Sequence, residues 1–258
     1  MTKRFPQLAD ELSPRRPLTL PTLLAASALC VAASLVLSGC QTISGSTAVS
    51  QLRIIDASAN AANTAVNLYV EGALLGNNLA EGTITSYASL KPTNNAVVKV
   101  TAATNTTALA SANTSLLAGT SQSALISDLG AKYQVAVLED QTDPAPAGHS
   151  EFRLLNQAPS TGPVDVYFLA GTSNTVFATA KPIITGLAVG ATSGYVTIPS
   201  STLYMVIAPT GTTLMDDVTT IYTSAALPLV GGEVRTVLIV DPQLTTQPVQ
   251  VYVANDVN

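Results

Sequence analysis

Val66-Asn67-Leu68-Tyr69-Val70 alternates apolar and polar residues, and Val164-Asp165-Val166-Tyr167-Phe168 repeats the pattern much later in the chain. Strict alternation over such a run predicts a strand with one wet face and one buried face. Working outward, further strands are expected at 51–57, 83–90, 96–103 and 132–139. A second set is expected at 151–156, 192–198, 202–208, 218–223 and 234–240, with Pro and Gly punctuating the runs. Residues 106–127 are rich in Ala and Leu and could hold a short helix; strand is the preferred reading there.

The strands recur in order. Leu52-Arg53-Ile54-Ile55-Asp56 matches Phe152-Arg153-Leu154-Leu155-Asn156, and Leu79-Ala80-Glu81-Gly82 with Tyr87 matches Leu187-Ala188-Val189-Gly190 with Tyr195. Gly130 through Val135 to Glu139 is matched with Gly232 through Val237 to Asp241. Two homologous units follow, 51–140 and 151–258, joined by a proline-bearing linker at 141–150. The expected fold is all-β: two tandem antiparallel β-sandwich domains of immunoglobulin-like type. The last segment, Pro248 to Val253, echoes Pro163 to Phe168 and has no counterpart in the first unit. It reads as an added edge strand, or as the start of a lost third unit whose open edge could pair with a neighbour.

The chain starts with a different kind of signal. Lys3, Arg4, Arg15 and Arg16 precede an uncharged apolar run from Leu18 to Leu37, which ends Leu37-Ser38-Gly39-Cys40. Basic residues, an apolar stretch and small residues at a cut site make a secretory signal. The last four residues fit the bacterial lipobox, in which the thiol takes a diacylglycerol and small neighbours admit the peptidase. Residues 1–39 are therefore expected to be a signal peptide, Cys40 the lipidated residue, and 40–50 a tether. Two acyl chains anchor stably where one does not. Gln41 follows the cysteine, and the absence of aspartate there favours the outer membrane of a Gram-negative cell envelope.

Cleavage would remove Cys30, so no disulfide could form within the mature chain. The whole chain holds 11 basic and 16 acidic residues; losing four basic and two acidic leaves 7 and 14, a net charge of −7. Nucleic-acid binding needs a basic stripe, and none is present. His149 is the sole histidine and lies in the linker, which leaves no histidine for a catalytic triad in an ordered element. Glu139, Asp140 and Asp143 have no EF-hand spacing and read as a solvated loop; Asp216-Asp217 reads as a turn. No cofactor, metal or catalytic residue is expected.

One set of residues appears in both units. Arg53 and Arg153, Asn67 and Asp165, and Tyr69 and Tyr167 fall on the polar side of alternating strands. Cross-strand polar pairs covered by tyrosine are the ordinary reading; a binding face used twice is the functional one. The opening Arg-bearing strand, the Val-Asp-Val-Tyr strand and Leu-x-x-Gly before a tyrosine together resemble domain of unknown function family 4397. The second unit fits best, through Arg153-Leu154-Leu155-Asn156-Gln157-Ala158-Pro159 and Val164-Asp165-Val166-Tyr167; the first departs at Ala59 and Asn67. The resemblance implies secreted or surface-anchored β domains in tandem and carries no catalytic residues. The expected role is a non-enzymatic structural or interaction module, anchored in the envelope by lipid and meeting an envelope protein or polymer. The alternatives are an accessory subunit of an envelope complex or surface fibre, pairing through its C-terminal strand, and an envelope hydrolase.

Overall fold

A computed structural model describes residues 48–59, 65–215, 220–242 and 248–257. Leu37, Ser38, Gly39 and Cys40, the signal peptide and Asp216-Asp217 lie outside the described residues. Thr47 to Asn258 forms one compact unit. Among the described residues no helix is long and apolar enough to cross a membrane.

The fold is all-β. The first lobe runs β1 (Ser50–Asp56), β2 (Val66–Val70), β3 (Ala73–Leu79), β4 (Ala88–Leu90), β5 (Thr93–Ala102), β6 (Ala108–Leu116), β7 (Ser121–Ser127) and β8 (Gln134–Asp140). The second runs β9 (His149–Gln157), β10 (Val164–Leu169), α1 (Asn174–Phe177), β11 (Ile184–Leu187), β12 (Val196–Pro199) and β13 (Thr202–Pro209). It ends with β14 (Tyr222–Thr223), β15 (Leu227–Pro228), β16 (Val234–Val240) and β17 (Gln250–Asn255). His149 and Ser150, expected in the linker, open β9 instead. The Ala- and Leu-rich stretch 106–127 holds two strands, β6 and β7.

Each lobe is a sandwich of two sheets. In the first, order β4-β1-β7-β8 faces order β3-β2-β5-β6; in the second, β12-β9-β16-β17 faces β11-β10-β13-β14, with β15 also on β13. Leu52, Ile54, Leu68, Val98, Val100 and Ile126 fill the first core; Phe152, Leu154, Val166, Ile207, Val237 and Ile239 fill the second. The sheets are not wholly antiparallel. β1 runs parallel to β7, and β9 parallel to β16, because the intervening strands carry the chain across the sandwich before it returns beside its first strand.

The topology corrects the repeat. β7 and β16 hold the same place beside the first strand of each lobe, and β8 and β17 the same place beside them. Ser123-Ala124-Leu125-Ile126 therefore matches Thr236-Val237-Leu238-Ile239, and the chain end is the last strand of the second sandwich, not an added one. The echo of Pro163–Phe168 in Pro248–Val253 is the generic alternation of two strands at different places.

The lobes pack through their first sheets. Along β1, Leu52 and Ile54 enter the first core while Ile55 points the other way, into a cluster with Leu125, Leu155, Leu238 and Val240. β9 does the same with Leu154 inward and Leu155 outward. A strand buried on both faces loses its alternation and reads as a near-continuous apolar run, which is the character of Leu-Arg-Ile-Ile and Val-Leu-Ile-Val.

Candidate functional site: a buried arginine, aspartate and tyrosine network

At the centre of this contact the two opening arginines meet the two closing aspartates. Arg53 and Arg153 occupy the same position on β1 and β9, and the parallel register sets Ser123 beside Arg53 and Thr236 beside Arg153. Asp140 ends β8, and Asp256 follows β17. All four charged residues are at most 4% exposed.

The contacts cross between lobes. Arg53 Nε donates to Ser123 Oγ at 2.7 Å, Nη1 to the Asn255 carbonyl at 3.0 Å and Nη2 to Asp256 Oδ1 at 2.5 Å. Arg153 answers from the other side: Nε donates to Thr236 Oγ1 at 3.2 Å, Nη1 to the Glu139 carbonyl at 2.9 Å and Nη2 to Asp140 Oδ1 at 2.5 Å. Ser123 Oγ and Tyr87 Oη each donate to Asp140 Oδ2 at 2.7 Å. Thr236 Oγ1 and Tyr195 Oη each donate to Asp256 Oδ2, also at 2.7 Å. Each guanidinium lies over its tyrosine, 4.9 Å from the Tyr87 ring centre and 5.0 Å from that of Tyr195. The lobes are thus related as the halves of a two-fold dimer, in which residue i meets j and j meets i.

The electrostatics are closed. Two positive and two negative charges balance, and every carboxylate oxygen of both aspartates accepts a hydrogen bond. Burial alone would lower the Arg53 guanidinium, but Asp256 and Asp140 outweigh it and hold it above its usual value. Burial pushes the Tyr87 and Tyr195 hydroxyls well up, and the aspartates they bond add to the shift, so both remain protonated donors. Buried charges without such pairing would cost several kcal/mol each. The arrangement holds the lobes in one register.

The repeated glycines serve the same contact. Gly82 has φ +79°, and a Cβ there would run into the Tyr252 ring of the other lobe; Gly190, at φ +80°, faces Leu129 across the same boundary. The Leu-x-x-Gly motif therefore shapes a turn that the opposite lobe packs on.

The six residues read as a repeated binding set do not share one face. β1 and β2 belong to different sheets, as do β9 and β10, so the arginines sit in other sheets than Asn67 and Asp165. Asn67 Oδ1 accepts the N–H of Asn78 in β3, and Asp165 accepts the N–H groups of Gly186 in β11 and of Gly211 in the turn after β13, so both tie neighbouring backbone to the second sheet. Tyr69 lies under Lys99, whose Nζ is 5.1 Å from the ring centre. Tyr167 is buried against Phe177, Val206 and Leu214 beneath α1. Asp140 is not part of a solvated acidic loop; the Arg153 pair draws it inside. Sequence alone does not single out Asp256, Ser123 and Thr236, and reads Asp140 only as part of an acidic loop, because pairing Glu139 with Asp241 hides the matching strand ends. His149 Nδ1 lies 3.0 Å from the Ala147 carbonyl. Among the described residues no group of three His, Cys, Asp or Glu side chains is placed to hold a metal ion.

One cleft opens at the network and another elsewhere on the second lobe. One of ≈ 270 Å³ exposes an edge of the network between Arg53, Ser86 and Tyr87 of the first lobe and Val253 and Asn255 of the second. A larger one of ≈ 440 Å³ lies in the second lobe between Tyr204, Tyr222, Thr220, Ser224 and Pro248.

Fold and site together define a tandem β-sandwich held by a pseudo-two-fold ionic network. Residues 50–167, from β1 through the first lobe into β10, match the family described as Domain of unknown function (DUF4397), which supports placing that stretch in the domain family. No curated protein matches the chain. Among solved structures, the fimbrial anchor protein Mfa2 from Porphyromonas gingivalis aligns over 81% of this chain and 99% of its own, at 9% identity and a TM-score of 0.27. Alpha-glucan-recognising family 41 carbohydrate-binding modules from streptococcal virulence factors align over 79% of this chain and 96% of theirs, at 14% identity and a TM-score of 0.26. Likeness at this level bears on neither activity nor partner.

Proposed function

We propose that the protein is a non-enzymatic interaction module of the bacterial cell envelope, carried on a lipid at Cys40 behind the tether 41–49, Ser50 being the first residue of β1. The second lobe is a second copy of the domain family matched in the first, and the pair acts as one rigid body that holds a protein- or polymer-binding surface off the membrane. One observation carries this reading. Four charged side chains, Arg53, Arg153, Asp140 and Asp256, are buried and mutually neutralised between the lobes. An anchored presenter needs fixed geometry between its anchor and its surface, and a buried ionic register supplies it.

Feeding cells an alkyne fatty acid tests the anchor. The full chain is expected to take the label and Cys40→Ala to lose it, and proximity cross-links to envelope components should fall with that loss. An unlabelled wild-type chain would remove the lipoprotein reading; a labelled chain with no Cys40-dependent cross-links would remove the presentation reading.

A further inference from the structure

The two lobes differ at one edge of their second sheets. In the first, β6 runs from Ala108 to Leu116; in the second, the strand in the same place breaks into β14 and β15. Ser224 makes the break. Its N–H donates to the Met205 carbonyl, as a ladder residue would, but the Met205 N–H donates to Ser224 Oγ at 2.9 Å. A continuous antiparallel pair would offer the Ser224 carbonyl there. With the hydroxyl in that place the chain leaves the sheet, and the cleft of ≈ 440 Å³ lies beside the break.

The rings that line this cleft are not supplied by the repeat. Tyr69 pairs with Lys99 and Tyr167 with Val206, which sets Tyr204 in the place of Val97. Val100 pairs with Ala110 and Ile207 with Tyr222, which sets Tyr222 in the place of Ala110. The first lobe builds the same sheet without either ring, so the fold does not require them. Tyr222 packs against the second core, which seats it, while Tyr204 is half-buried and belongs to no core cluster. Tyr87 and Tyr195 donate to aspartates, but the hydroxyls of Tyr204, Tyr222 and Thr172 make no hydrogen bond among the described residues. Burial alone pushes the Tyr222 hydroxyl up, which keeps it a protonated donor. The Thr220 and Thr223 hydroxyls lie 3.3 Å apart at the same cleft. Among the described residues that line it, none is Asp, Glu, Lys, Arg or His.

We propose that this cleft binds a segment of a neutral glycan, with Tyr204 and Tyr222 as its anchors. The lining selects the class. A charged ligand would find no opposite charge, and an apolar one would cover hydroxyls without bonding them, which is unfavourable. A sugar ring has a C–H face to lie on an aromatic ring and a rim of hydroxyls that both donate and accept. Tyrosine offers the matching apolar body and polar tip on a stiff side chain, and the threonine hydroxyls also work in both directions. The volume falls within the roughly 300–1,000 Å³ of small-ligand sites. The inference rests on the envelope-presentation reading and deepens it, by naming the class of polymer that the presented surface meets.

The test presents the purified full chain, in a sugar-free detergent, to an array of neutral gluco-, galacto- and manno-oligosaccharides beside sialylated and sulfated ones. The tightest neutral binder is then titrated by calorimetry. Neutral members are expected to bind. Tyr204→Ala should weaken binding more than about tenfold, as loss of an aromatic anchor does. Tyr204→Phe and Tyr222→Phe keep the rings and remove one hydroxyl each, so each should weaken it about 2- to 10-fold. Tyr69→Ala, on the first lobe, should leave it unchanged. Urea midpoints check that each variant is folded, and the two Phe variants decide the matter if Tyr204→Ala is not. No neutral oligosaccharide bound, binding confined to the acidic ones, or Phe variants that bind as tightly as wild type would overturn the proposal. The titration does not use the lipid, so its failure leaves the alkyne label and the Cys40-dependent cross-links standing, and their failure leaves a positive titration standing.

Discussion

Asp56 and Asn156 stand at the same place in the two lobes and differ by one amide. Asn156 Oδ1 accepts the Ala158 N–H, and its Nδ2 donates to the carbonyls of Gly162 and Leu187. Asp56 Oδ1 accepts the N–H and hydroxyl of Ser58, but its buried Oδ2 has no hydrogen-bond partner among the described residues. Burial raises the carboxyl above its usual value, and the two Ser58 bonds only partly offset this. A folded value above the unfolded one means the native state holds its proton longer, so this group's stability is full below the unfolded value, near pH 3.9, and is lost as pH rises through the folded value. Asp56→Asn restores the donor of the other lobe. Above that window it should stabilise the fold by about 1–3 kcal/mol, the cost of an unsatisfied buried polar group. At low pH it should change little. Urea unfolding at both pH values checks the sign, and equal effects at both would count against a buried, proton-linked carboxyl.

At the scale of elements, β1 and β9 are buried on both faces, and this has a mutational signature. Leu154→Ala opens the second core and Leu155→Ala opens the contact between lobes, so each should cost about 2–5 kcal/mol in denaturant unfolding. A sandwich with a wet outer face would lose that only at Leu154. The same double burial explains what could be read in advance. Val66–Val70 has one core face and one wetter face, so its alternation was plain. β3, β11 and β14 are short, bulged or broken, and carry too few periods to register. In β7 and β16 the outward Leu125 and Leu238 are as apolar as their inward neighbours, so the strands did not show which lobe face they served. Arg53 and Arg153 were legible as a repeated pair; their partners were not, because Asp140 and Asp256 sit at strand ends that sequence matching had set against other strands.

At the scale of the molecule, the linker matters less than the contact. Gln141 to Gly148 joins the lobes covalently, but Arg53 with Asp256 and Arg153 with Asp140 join them physically. The two 2.5 Å ion pairs each take one member from each lobe, while Arg53 Nε also lies 3.6 Å from Asp140 Oδ2 within the first, so neither network half is complete within one sandwich. Removing one partner of a buried pair strands the other charge, at a cost of about 3–5 kcal/mol. The rigid-body account therefore predicts that the lobes unfold together. Native-state hydrogen exchange in graded urea, comparing wild type with Asp256→Ala, tests this most directly. β1 and β7 of the first lobe should open with the same free energy as β9 and β16 of the second, and Asp256→Ala should weaken protection in both lobes alike. Two separate opening free energies, with the loss in Asp256→Ala confined to the second lobe, would contradict it and return the molecule to two independent sandwiches on a string.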